Sequence, residues 1–346
     1  LIPGKSYLLE IVVRTTGVGH HLTQGTSDSN ELWLDVIATA GDRIIGRSGA
    51  RNDTGRVDPW SYFLNSYMLD REGNRIDRRN GQDIFVPLYN HQIPPGAATV
   101  VHYLLEVPDD TRDPVVIEVD LNYRKFDTAY LQHMQGVDFT VNDLPITTMA
   151  SDRIELPVGR GKDDMSFDLH PVAENERWND YGIGLLRQGD SGSNKGELRQ
   201  AEQAFRQVEA LGDMDGAMNL ARVYFKEGRV GEASQALRRA TAGDPPAPHW
   251  TIAWYTALID RENGHLDEAI HSLESIIDTR FEDARQRGFD FSKDVRVTNM
   301  LGRTLFERAR LERGEARREA REAFLEQAVG ALLRTLDTDP ENLAAH

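Results

Sequence analysis

The sequence predicts a multidomain chain, β then α: an N-terminal antiparallel β-sandwich followed by an α-solenoid of helical hairpins. Three observations carry that expectation. Apolar residues alternate with period two through the first part of the chain. A charged, aperiodic stretch follows, and the spacing then turns helical. From Trp178 onward, small and large residues recur in phase. The boundaries read as a β domain at 1–158, a linker at 159–172 and repeats at 173–346.

The strands come first. From Val115 to Tyr123, Val115, Ile117, Val119, Leu121 and Tyr123 take one face, while Glu118, Asp120 and Asn122 take the other. That is the pattern of a half-buried strand. Tyr7–Val13, Leu32–Ala38 and Val100–Val107 read the same way, and a last strand includes Arg153–Pro157. Gly41-Asp42, Glu72-Gly73-Asn74, Pro94-Pro95-Gly96 and Pro108-Asp109-Asp110 are turn signals between them. Such strands with little helical pattern between them predict an immunoglobulin- or fibronectin-like sandwich. Asp127–Gln135 reads as one short helical excursion.

The linker opens with Gly159-Arg160-Gly161. Beyond it, the unit from Met214 puts Ala217, Leu220, Ala221 and Tyr224 on a first helix. Ala233, Leu237 and Ala240 follow on a second, and Pro245 closes the unit. The unit before has Trp178, Tyr181, Gly182 and Leu185, then Ala201 and Phe205, with a few extra residues around Asp190-Ser191-Gly192-Ser193. The unit after has Ala253, Ala257, Ala269, Leu273 and Ile276. Gly189, Gly228 and Gly264 fall just past each first helix, where a left-handed residue ends a helix well. A looser fourth unit has Leu301, Gly302 and Leu305, then Ala328, Leu332 and Pro340, with a stretched interhelical segment from Glu307 to Glu326 that is dense with Arg and Glu at helical spacing. Small residues at Gly182, Ala221 and Ala257 let helix backbones approach closely. A period of about 34 residues with this pattern resembles the tetratricopeptide repeat (TPR), whose units stack because one alone cannot bury its apolar face.

The formal net charge of −16 disfavours nucleic acid and anionic lipid as partners. No run of 18 apolar residues occurs, so no membrane span is expected. The absence of cysteine excludes disulfides and thioether-linked haem within the chain. Asn52-Asp53-Thr54 matches a glycosylation sequon. The opening Leu-Ile-Pro-Gly-Lys and the closing Asp339–His346 both read as cuts in a longer polypeptide, the latter as the truncated start of another repeat.

No G-x-S-x-G, Walker A, H-E-x-x-H or C-x-x-C motif is present, and no carboxylate pair stands out, so no catalytic residue is expected. The informative positions are histidines. The glycines of Gly17-Val18-Gly19-His20-His21 let a loop present an imidazole outward, Tyr89-Asn90-His91 places a second histidine in another loop, and neutral imidazole is a common ligand of metals and haem iron. The bland alternative is a solvated loop histidine. His102, His133, His249, His265 and His271 read as structural or solvated. Trp33, Trp60, Tyr62 and Phe63 read as core or hinge packing rather than a ligand box.

Pro3-Gly4-Lys5-Ser6-Tyr7, Gly17-Val18-Gly19-His20, Asn30–Val36, Asp70–Asn74 and Ile93–Gly96 together resemble the β-domain of large secreted multihaem c-type cytochromes. The stretch Arg177–Leu186 resembles the join to the TPR array that follows in some of them. The resemblance implies a periplasmic or extracellular protein whose covalent haem c lies outside this sequence, on a haem-bearing segment or subunit. It implies His20 as a distal ligand to haem iron, with His21 and His91 as further candidates. The loop departs from the family at Leu22-Thr23, where an aromatic–proline pair is usual. The implied role is a non-enzymatic scaffold in electron transfer, binding protein partners or other copies through the TPR surface. The alternatives are a haem-free TPR scaffold that assembles into an extracellular oligomer or fibre, and a non-catalytic part of a multihaem reductase.

Overall fold

A computed structural model describes residues 1–25, 28–159, 171–188, 195–280 and 290–346. The linker expected at 159–172 lies largely outside them, as do Gly189 and the insertion around residues 190–193. The chain divides into two compact units. One is Leu1–Ala173 with Ile183–Asp190, and the other is Glu174–Gly182 with Ser191–His346. The division therefore does not follow chain order.

Among the described residues of the first unit, eight strands form three antiparallel sheets. These are β1 (Ser6–Arg14), β2 (Glu31–Ala40), β3 (Arg43–Ser48), β4 (Ser66–Leu69), β5 (Val86–Asn90), β6 (Ala98–Glu106), β7 (Val115–Arg124) and β8 (Ile146–Leu156). The four-stranded sheet runs β3-β2-β7-β8, and β1-β6 and β4-β5 are two-stranded ribbons. β2 is internal to its sheet, and its first four residues are all buried, so its alternation is weaker than a half-buried strand requires. β8 is longer than the Arg153–Pro157 segment expected, because its outer residues are exposed and carry no apolar period. Leu34, Val36, Val101, Leu105, Ile117 and Leu121 share one core cluster, so the β1-β6 ribbon and the four-stranded sheet bury residues together. Gly49, at φ +86°, has no room for a side chain: a Cβ there would stand 2.4 Å from the Leu34 carbonyl oxygen. The helical excursion is α1 (Thr128–Gln135), capped by the Asp127 carboxylate, which accepts from Tyr130 N at 2.7 Å.

Among the described residues, the helices that follow are α2 (Glu174–Gln188), α3 (Lys195–Ala210), α4 (Met214–Lys226), α5 (Val230–Ala242), α6 (His249–Glu262), α7 (Leu266–Ile277), α8 (Val295–Leu311) and α9 (Arg318–Thr338). The second half of α2 belongs to the first unit. There Arg187 donates to the carbonyls of Ala98 (2.7 Å) and Gln92 (2.9 Å), and Gly184 lies against Val100. In the second unit, α4–α5 and α6–α7 are joined by short turns whose glycines, Gly228 (φ +74°) and Gly264 (φ +80°), are left-handed as the repeat predicts. Gly182 faces the Phe205 ring, where a Cβ would sit at 2.6 Å, and Ala221, Ala233, Ala257 and Ala269 are all essentially without exposure. The region is a TPR-like helical array. One expectation is corrected: Glu307–Glu326 is not a stretched connection. α8 and α9 run through most of it and leave only 312–317 between them, because its Arg and Glu residues pair at helical spacing, as Arg308–Glu312 and Arg318–Glu322 do.

Candidate functional site

The register of β2 and β7 sets Glu31 directly opposite Arg124. The Arg124 side chain has no solvent exposure. Its Nε donates to Glu31 Oε2 at 3.0 Å, Nη2 reaches the same oxygen, and Nη1 donates to the Asn142 carbonyl. Nearby, Arg75 Nη2 donates to Asp127 Oδ2 at 2.9 Å, and its guanidinium lies 4.9 Å from the centre of the Tyr67 ring. Burial pushes both the Glu31 and Asp127 carboxyls up, against the pull of their arginines.

Glu31, Arg75, Asp127 and Tyr67 border a cleft of about 160 Å³ in the first unit. Asn30 and Asn65 also line it, from the residue before β2 and the residue before β4. They are 6% and 4% exposed, and neither side-chain carbonyl oxygen has a hydrogen-bond partner. Phe63, Tyr67 and Tyr89 supply aromatic surface, and Arg56 adds a guanidinium. The site was not legible beforehand. Its one sequence signal is a charged residue at the head of the buried run Leu32-Trp33-Leu34.

The three candidate histidines are separated by environment. His20 and His21 are exposed, and His20 Nδ1 lies 2.9 Å from the His21 carbonyl. His91 is half-buried between Tyr62 and Tyr89, with ring centres at 4.7 and 4.4 Å and planes 7° and 20° apart. Its Nδ1 lies 3.0 Å from the Phe63 carbonyl. Burial lowers its pKa and favours the neutral ring. In neutral His20 and His91, a proton on Nδ1 donates to the carbonyl and leaves Nε2 as the acceptor. Among the described residues, no group of three His, Cys, Asp or Glu is placed to hold a metal ion.

The aromatic quartet splits. Trp33 is fully buried, its Nε1 donating to Gly49 O at 3.2 Å. Trp60, expected to pack in a core or hinge, is 92% exposed: it follows Pro59 in a loop where nothing covers it. Trp178 and Pro245 also depart from interior repeat packing. Trp178 is 37% exposed, edge-on to Tyr181 and directed toward Glu174 of its own helix. Pro245 is exposed beyond the end of α5. A depression on the four-stranded sheet is lined by Asp35, Glu118, Asp120 and Asp152, but Asp35 pairs with Arg47 and Glu118 with Arg153.

In the second unit, polar side chains link the first helices of successive pairs. Asn219 donates to Asn179 at 2.9 Å, Arg222 donates to Asn219 at 3.0 Å, and Arg261 pairs with Glu307. Asn299 donates to Asn342 at 2.9 Å. Arg222 Nε and Asn299 Oδ1 are buried and without partners.

No family model matches the chain, and no curated protein sequence matches it. Solved structures give distant likenesses. One is a penta-haem cytochrome c552 from Thermochromatium tepidum, at 14% identity over 43% of this chain and 36% of that one, with a TM-score of 0.32. Another is MamA residues 41–end from Desulfovibrio magneticus RS-1, at 14% identity over 49% and 78% of the two chains, TM-score 0.33. A third is a Podosopora anserina kinesin light chain with nearly identical TPR-like repeats, at 16% identity over 50% and 79%, TM-score 0.35. This chain spans about a third of the length of the cytochrome it resembles. Likenesses at these TM-scores carry no argument about what the chain does.

Proposed function

We propose that the chain is a non-enzymatic protein-interaction scaffold whose helical array binds an extended segment of a partner protein or of another copy. The observation that carries this reading is the row of polar side chains on the first helices. Arg222 Nε and Asn299 Oδ1 have a donor and an acceptor unspent there, which is what a peptide backbone supplies in return. A random peptide library selected on the whole chain, with counter-selection on the Arg222→Met variant, tests it. Enrichment of peptides that the variant fails to hold is the expected result. Equal recovery on both proteins sinks the reading. In this reading the β1-β6 ribbon and the four-stranded sheet form the two layers of a sandwich, supported by the core they share.

A second reading rests on His20. The family resemblance implies a haem c held outside this sequence in an extracytoplasmic electron-transfer system. The ring fits a single axial ligand: it is exposed, and its Nδ1 is anchored to a backbone carbonyl. Bound there, haem would supply a one-electron redox centre, and the chain's contribution is to orient one imidazole. His21 is the neighbouring alternative, and His91 shares the carbonyl anchor but is half-buried. Titrating the whole chain with a ferric haem c peptide that has one open axial position separates them. A low-spin Soret spectrum lost in His20→Ala supports the assignment, and an unchanged spectrum on adding the native chain removes it.

A further inference from the structure

We propose that the cleft of the first unit is a non-catalytic binding site for a single neutral sugar residue, a pyranose ring. The unspent chemistry of the site selects the ligand. Asn30 and Asn65 line the cleft and are more than nine-tenths buried, and their side-chain carbonyl oxygens have no partner. A buried acceptor left unmade costs free energy, so an occupant that brings at least two hydrogen-bond donors is favoured.

Charge narrows the class. Both carboxylates at the cleft are already engaged, Glu31 by Arg124 and Asp127 by Arg75. Arg56 lines the cleft as well, and with both carboxylates held by arginines no uncompensated negative charge is left there for an ammonium or metal cation. An anion is disfavoured from the other side, because it brings acceptors to two orphaned carbonyl oxygens. A neutral polyol satisfies both: its hydroxyls donate to Asn30 and Asn65 and accept from Arg56.

Size and shape narrow it further. A volume of about 160 Å³ is close to the roughly 150 Å³ of an engineered cavity that takes a single benzene ring. Phe63, Tyr67 and Tyr89 add aromatic surface to the wall, suited to the C–H face of a saturated ring. Trp60, 92% exposed, directly follows the lining residue Pro59 and offers a second ring surface to the next sugar of a longer chain.

The test is saturation-transfer NMR on the whole chain with a panel of methyl pyranosides, followed by titration of the strongest. The expected result is transfer to at least one glycoside, with a dissociation constant on the order of 1 mM, as a small polar ligand in an open cleft allows. Asn65→Leu removes an oxygen that has no protein partner, so it is expected to weaken binding at least about tenfold while leaving the thermal midpoint where it was. Trp60→Ala, at an exposed position, is expected to spare the monosaccharide and weaken a trisaccharide of the same residue. The proposal is overturned by no transfer from any glycoside at about 10 mM, ten times that constant. It is overturned equally by undiminished binding in a folded Asn65→Leu protein, or by an alkylammonium ion binding more tightly than every glycoside.

Discussion

The two units stabilise themselves by different means. The interior of the strand-built unit holds charge: Arg124 has no exposure at all and meets Glu31 across β2 and β7. Among its described residues the helical unit has no fully buried charged residue, and its helices meet through small and large apolar side chains, Gly182 against Phe205 and Gly302 against Leu332. A buried charge is tolerated only with its partner in place, whereas close-packed helices tolerate little added volume. The first unit is thus vulnerable to losing a group, the second to gaining one.

The sharpest way to break the contrast is Arg124→Ala. It leaves Glu31 buried and unpaired, and is expected to cost about 3–5 kcal/mol of stability in urea unfolding. Replacing both residues with apolar ones of similar volume is expected to restore most of that loss. Adding a methyl group in the helical unit comes next. Gly216→Ala places a Cβ 2.3 Å from the Glu209 backbone nitrogen, which cannot step aside, and is expected to cost about 2–3 kcal/mol. Gly302→Ala meets chiefly the Leu332 side chain at 2.7 Å, which can shift, with the Ala328 carbonyl oxygen at 3.3 Å, and its cost is expected to be about 1 kcal/mol. Equal costs at the two glycines break the distinction between rigid and yielding neighbours.

A smaller effect tests the edge charges. Arg229 pairs with Glu202, Glu227 and Glu232 and lies 4.3 Å over the Tyr224 ring. It is about a third exposed, so Arg229→Ala is expected to cost only about 1 kcal/mol, shrinking as salt is added.

The smallest effect is a pH dependence. Burial holds His91 below the ordinary histidine value near 6.5. The unfolded chain then binds the proton more readily than the folded one. The unit keeps this stability above about 6.5 and loses it as pH falls through that value toward the lowered one. Urea midpoints at about pH 7.5 and about pH 5.5 should differ more for the native chain than for His91→Phe, by up to about 1 kcal/mol. Glu31 and Asp127 act in the opposite sense at lower pH, where their raised carboxyls take up protons more readily in the folded state.

What the sequence made legible follows from periodicity. The repeat positions Leu220, Ala221 and Tyr224, and the left-handed turns at Gly228 and Gly264, could be placed because spacing within a helix pair is local. β1, β6 and β7 were found within a residue or two for the same reason. The cleft was not legible, because Asn30, Asn65, Arg75 and Asp127 are distant in sequence and are gathered only by sheet pairing and the cap of α1. Trp60 was misjudged because composition says an indole prefers the interior, and only the loop's path leaves this one in water. The helical spacing of the charges in Glu307–Glu326 was legible, but the segment was placed between the two helices, whereas α8 and α9 run through most of it.

The cross-strand pair of Glu31 and Arg124 also bears on how the sheet reaches its native alignment. Slipping β7 by one residue against β2 carries Arg124 to the opposite face and strands a guanidinium away from its carboxylate. The same slip turns the buried Ile117 and Leu121 of β7 out of the core, so the pair adds a polar penalty to an apolar one. The pair therefore sharpens the register of β2 against β7, penalising the misaligned sheet more than it rewards the aligned one.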